Sequence, residues 1–142
     1  MTDRPFALLV HDHPEPCGEL EKLLKFLSVE TSCINSRFAT GQMTAHSKPP
    51  LVFIDMFLTD NSWVNVLDFF MKSDLAPNVI IVGPRLDIEL YVSSIERGAY
   101  SYVAPPFTPE GLNAIVYSAW ADVRDRRESK ERATAMSSAH EF

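Results

Sequence analysis

Three short runs of apolar, β-favouring residues constrain this chain more than anything else in it. Phe6-Ala7-Leu8-Leu9-Val10, Leu51-Val52-Phe53-Ile54 and Val79-Ile80-Ile81-Val82 are continuous rather than alternating. That is the pattern of strands buried on both faces of a parallel sheet. Each run stops abruptly: the first on His11-Asp12-His13, the second on Asp55, the third on Gly83-Pro84. Strands that end in polar or turn residues, with helix-like segments between them, predict one site at the carboxyl edge of the sheet. Open α/β sheets bind their ligands there.

The intervening segments fit this frame. Leu20, Leu23, Leu24 and Leu27 recur at three-four spacing behind Pro14 and Pro16, predicting an amphipathic helix from about Glu15 to Ser28. Thr31 to Asn35 reads as a strand whose polar content suits a sheet edge, and Phe38 to Ser47 as a short helix. After Asp55, a helix capped by Asn61 or Ser62 should turn Val66, Leu67, Phe70 and Met71 inward. Asp87 to Arg97 is predicted as the fourth helix, with Ile88, Tyr91, Val92 and Ile95 at helical spacing and Gly98 as its stop. Ala99 to Ala104 is a fifth strand, broken by Pro105-Pro106. The last helix starts near Thr108-Pro109-Glu110, with Leu112, Ile115, Val116, Ala119, Trp120 and Val123 as its buried stripe.

Five strands alternating with five helices through right-handed crossovers give an α/β fold. The expected form is a flavodoxin-like (βα)5 three-layer sandwich on a parallel five-stranded sheet of order 2-1-3-4-5. That order puts the most apolar strands inside. Residues 1–125 are expected to form this domain. Residues 126–142 read as a charged helical extension or tail, a solvated end that frays, or a linker should an output domain follow.

Composition narrows the function classes. The net charge of −6 argues against nucleic acid binding by the domain itself. No apolar run is long enough to span a bilayer and the N-terminus does not read as a signal peptide, which makes the cytoplasm the expected compartment. Cys17 and Cys33 lack metal or redox spacing and read as packed thiols.

Asp12 and Asp55, at the ends of adjacent central strands, present two alternatives that the residues alone leave open. A pair of acids can hold a hard divalent cation such as magnesium beside phosphate oxygens. Equally, each can cap the N-terminus of the helix that follows it.

Leu8-Leu9-Val10-His11-Asp12-His13-Pro14, Leu51-Val52-Phe53-Ile54-Asp55-Met56 and Glu96-Arg97-Gly98-Ala99-Tyr100-Ser101-Tyr102-Val103-Ala104-Pro105-Pro106-Phe107 together resemble the receiver domain of bacterial two-component response regulators, over roughly residues 4 to 125. The resemblance implies a phosphorelay protein whose Asp55 accepts a phosphoryl group from a sensor histidine kinase or phosphotransfer protein. Such a domain is not an enzyme beyond promoting its own phosphorylation and dephosphorylation. It further implies a Mg2+ ion held by Asp12, Asp55 and the backbone carbonyl of Phe57, and Tyr102 as an aromatic switch. Signalling is expected through the face formed by the fourth helix, the fifth strand and the last helix. Homodimers through the last two helices, and a downstream output domain or protein, follow the same expectation.

Departures from the family accompany the match. His11 stands where the first of two acids is usual, Gly83 where a Thr or Ser is, and Pro105 where a Lys is. All three would line the site, and the missing Lys removes a charge-assisted contact worth about 1.5–3 kcal/mol. Trp63 replaces a small residue after the acceptor and is expected to pack on the next helix; of Tyr91, Tyr100 and Tyr102, the last is expected in an aromatic patch on the signalling face. These losses bring in a second expectation, a pseudo-receiver that acts as a phosphorylation-independent interaction or dimerisation module. A flavin carrier fits poorly, since the loop after the first strand lacks a phosphate-cradling composition.

Overall fold

The continuous apolar runs become the interior of one parallel sheet. In the computed structural model, which describes residues 4–41 and 48–140, the strands are β1 (Phe6–Val10), β2 (Glu30–Ile34), β3 (Leu51–Asp55), β4 (Asn78–Val82) and β5 (Ser101–Val103). Their order is β2-β1-β3-β4-β5, and every pairing is parallel. Every residue of β3 and β4 is buried, whereas β2 is mostly open at the edge. Strand polarity therefore predicts position in the sheet.

Alternate residues of each strand feed two cores, as the two-residue side-chain period requires. Leu9, Phe53, Ile80 and Val82 pack against α1 (Cys17–Phe26) and α4 (Pro109–His140). Leu8, Val52, Ile54, Val79 and Ile81 pack on the other side, against α2 (Trp63–Met71). There Leu90, from α3 (Ile88–Glu96), is only partly buried. Each fully buried Leu, Ile or Phe contributes about 1.5–3 kcal/mol from its burial, so these two layers hold the sheet edge in place.

Local chemistry sets the helix ends. Ser62 Oγ accepts from Asn65 N–H to start α2, and Asp87 accepts from the N–H groups of Glu89 and Leu90 to start α3. Gly98, at φ 109°, ends α3 in the left-handed region that favours glycine. Thr108 Oγ1 accepts from Gly111 N–H at the start of α4.

Some expectations are corrected, and others are sharpened or lie outside the described residues. The helix expected over Phe38–Ser47 falls largely outside the described residues; a 3-10 turn covers Ser36–Phe38. Met71 is more exposed than an inward position implies. Cys33 is an exposed edge-strand residue rather than a packed one; its thiol donates to Glu21 Oε2 at 3.0 Å, and partial desolvation of the sulfur together with that bond pushes its pKa up to about 12. Tyr102 is buried and so takes no part in an exposed aromatic patch. The stripe Ile88, Tyr91, Val92 and Ile95 faces outward, with Ile88 78% exposed.

Over its described length the charged end of the chain continues the last helix. α4 runs 32 residues to His140 and is fastened to the loops before β3 and β4. Arg127, half-buried, donates through Nη1 to the carbonyl of Lys48 and through Nη2 to those of Pro49 and Leu75. Arg126 reaches the Ala76 carbonyl and Asn78 Oδ1, and Lys130 reaches the carbonyl and carboxylate of Asp74. Asn78, buried, is satisfied in turn by donating to Ala119 O and Asp122 Oδ2. No helix among the described residues is long and apolar enough to cross a membrane.

Candidate functional site

Asp55 closes β3 between β1 and β4, in register with Val82. Its carboxylate is fully buried. Oδ1 accepts the backbone N–H of Phe57 at 3.1 Å, while Oδ2 has no hydrogen-bond partner among the described residues. Burial pushes the carboxyl above the ordinary range; the Phe57 N–H and the charges of His11 and His13 oppose that, and Asp12 adds the smallest push of all. A carboxylate with one oxygen fixed and the other without a donor keeps unused acceptor capacity.

Asp12 is engaged otherwise. Its Oδ1 accepts Ser36 N–H at 2.8 Å, and its Oδ2 accepts Ser36 Oγ–H at 2.6 Å, Thr59 N–H at 2.7 Å and Thr59 Oγ1–H at 3.2 Å. Against the cost of desolvation, these donors hold its carboxyl well below the usual carboxylate range. The chain past β1, the turn after β2 and the loop after β3 are thereby tied to one side chain. Neither helix-capping alternative describes this: Asp12 caps no α-helix, and α2 is capped by Ser62.

The remaining expected residues are distributed around this edge. His11 donates through Nδ1 to the His13 carbonyl at 2.8 Å, which leaves Nε2 as the free ring nitrogen. Phe57 follows with its side chain exposed. Beside Asp55 in register, β4 leads into Gly83, where an added Cβ would overlap the hydroxyl and ring of Tyr102. Tyr102 donates to the Arg85 carbonyl at 2.6 Å and meets Tyr91 edge-on at 6.4 Å. Pro105 follows β5, half-buried and without a donor. Trp63 packs on the α2 side of the core beneath the guanidinium of Arg97.

A magnesium ion would have to compete with the protein's own hydrogen bonds for part of this donor set. It needs near-octahedral oxygen ligation, with carboxylate oxygens free to coordinate. Three protein donors already converge on Asp12 Oδ2, whereas its Oδ1 accepts only the Ser36 N–H. Asp55 Oδ2 is the one carboxylate oxygen of the pair left without a donor.

Ser36 and Thr59 were not expected at this site. The one signal available for Ser36 was its place just past the edge strand, at the same end of the sheet as Asp12 and Asp55.

No family model matches the chain. It is 29% identical over 128 residues to the nitrogen assimilation regulatory protein NtrX of Azorhizobium caulinodans, covering 87% of this chain and 28% of that protein. With the DNA-binding response regulator MtrA of Mycolicibacterium smegmatis it shares 26% identity, over 96% of this chain and 57% of that one. The signal receiver domain of a Vibrio parahaemolyticus protein described as a Luxo repressor superposes with a TM-score of 0.76 at 26% identity, over 89% of this chain and 97% of the other. In sequence the chain is similar to response regulators, and in fold to receiver domains. The chain spans less than two thirds of the length of the curated relatives named. Its similarity runs through the sheet and the flanking helices, so Asp55 sits on a scaffold of the receiver kind rather than on a chance likeness of one edge.

Proposed function

We propose that this receiver takes part in a two-component phosphorelay by accepting a phosphoryl group on Asp55 from a phosphohistidine of a sensor kinase or phosphotransfer protein. One observation carries the reading: among the described residues Oδ2 of Asp55 has no hydrogen-bond partner, while Oδ1 is steadied by Phe57 N–H. In the transfer, a carboxylate oxygen bonds to phosphorus as the imidazole nitrogen–phosphorus bond breaks, and the imidazole keeps the electron pair. His11 and His13 lie close enough to act electrostatically on the Asp55 carboxyl.

The output surface in this reading is α3, β5 and the start of α4. Leu86 and Ile88 are 76% and 78% exposed there, next to Tyr91 and Val92. Apolar side chains grouped like this on a soluble domain mark an interaction face. The partner is a second copy, an output domain or a separate protein.

A second reading, the phosphorylation-independent module, is favoured by Gly83 and Tyr102. The aromatic already fills the space over Gly83 and is bonded to the Arg85 carbonyl. A switch side chain so held gives one face whatever happens at Asp55.

Incubation with acetyl phosphate, with and without magnesium, followed by intact mass measurement separates the two. A phosphoryl adduct on the wild type and none on Asp55→Asn supports acceptance. Absence of the adduct, with the oligomeric state unchanged, leaves the module reading standing alone.

A further inference from the structure

The hydrogen bonds around Asp12 form a closed device. Ser36 is fully buried, donates through Oγ to Asp12 Oδ2 at 2.6 Å, and accepts Asp60 N–H at 3.2 Å on the same oxygen. Thr59 adds its N–H and its hydroxyl to that carboxylate oxygen. Arg37 and Asp60, paired at 3.6 Å, bind the turn after β2 to the loop after β3 a second time. A carboxylate oxygen offers about two lone-pair directions, so three donors oversubscribe Oδ2. Any hard cation that takes this oxygen must first displace a hydroxyl.

We infer that Ser36 and Thr59 gate this sheet edge against divalent cations: they occupy the Asp12 carboxylate, so that binding a cation and releasing the loops after β2 and β3 are a single event. Ser36 acts as a positioning residue through Asp12. The choice of magnesium as the cation rests on reading Asp55 as a phosphoacceptor; the gating itself rests on the hydrogen bonds. Two consequences are specific to it. Removing a donor from Asp12 tightens cation binding, the reverse of what a lost supporting contact does. Cation binding in the wild type disturbs the amides of Ser36, Thr59 and Asp60 together, although these lie on two separate loops.

The test is a magnesium chloride titration followed by amide NMR shifts, with no phosphoryl donor present. It compares the wild type with Ser36→Ala, Thr59→Val and Asp12→Asn. Ser36→Ala should bind magnesium about tenfold more tightly, the loss of one charge-assisted bond being worth at least that factor. Thr59→Val, on an exposed loop, keeps its N–H bond to Asp12 and should gain a few-fold; it decides the matter alone if Ser36→Ala does not fold. Asp12→Asn should lose the response. Equal or weaker affinity in both gating variants, or no response in any of the proteins, would overturn the inference. Phosphoacceptance is read separately by mass, so a chain that takes no phosphoryl group yet binds magnesium more tightly in both variants keeps this inference and loses the other.

Discussion

The hydroxyl and ring of Tyr102 occupy the volume that a side chain at Gly83 would need. Glycine at the exit of β4 is therefore a condition for the buried aromatic, not merely a missing hydroxyl. Gly83→Ala should push Tyr102 out of its place, breaking its bond to the Arg85 carbonyl and its edge contact with Tyr91. Overpacking of this kind costs about 1–3 kcal/mol. A crystal structure of the variant should show a new Tyr102 rotamer, and thermal unfolding should show the cost. An unmoved Tyr102 would mean that the backbone of β4 yields instead.

Asp55 should be a burden on stability at neutral pH. Its folded carboxyl titrates above the unfolded value, so the stability contributed by its protonated form is complete below about pH 4 and is lost as pH rises through the folded value. Asp55→Asn removes a buried charge with an unpartnered oxygen and should stabilise the chain by about 1–3 kcal/mol at pH 7. Denaturant melts across pH should show that gain shrinking toward acid.

Asp12 runs the other way. Its folded carboxyl titrates below the unfolded value, so the stability it contributes is present above about pH 4 and is lost as pH falls. Asp12→Ala leaves the buried Ser36 hydroxyl without its acceptor and should cost roughly 1.5–3 kcal/mol at pH 7. Hydrogen exchange should quicken at Ser36, Thr59 and Asp60 while the β3 amides remain protected.

Arg127 should be hard to replace. Its guanidinium spreads over the carbonyls of Lys48, Pro49 and Leu75, a span that the single ammonium of lysine does not reproduce. Arg127→Ala should cost about 1.5–3 kcal/mol, and Arg127→Lys should recover only part of it. Chemical denaturation of both variants gives the ordering, and equal stability of the lysine variant and the wild type would refute the multiple-carbonyl account.

Much of the fold was legible because continuous apolar runs have one good solution, a parallel sheet covered on both faces. Strand order followed from the same property, with the polar Glu30–Ile34 at the edge and Leu51–Asp55 in the middle. Helical spacing was a less complete guide. In α3, Ile88, Tyr91 and Val92 repeat as a core stripe would, yet they face outward, because periodicity reports that a face is apolar and not what covers it. At the site, Asp12 and Asp55 were visible as residues at strand ends. What Asp12 binds was not, since its partners lie 24 and 47 residues away and no local pattern encodes such a pairing. Arg127 was hidden for a related reason: in a run of mixed charge, its carbonyl partners are backbone groups, which every sequence contains.

The strand β3 is held at both of its ends. Before Leu51, the carbonyl of Pro49 is gripped by Arg127 of the long helix; at the other end stands Asp55. Five residues in extended conformation make a strut about 17 Å long. The strut joins the Asp55 carboxylate at one end to the Arg127 side chain at the other, and so to the last helix, without involving Tyr102 or α3. A substitution that displaces Tyr102 leaves this connection between Asp55 and the last helix untouched.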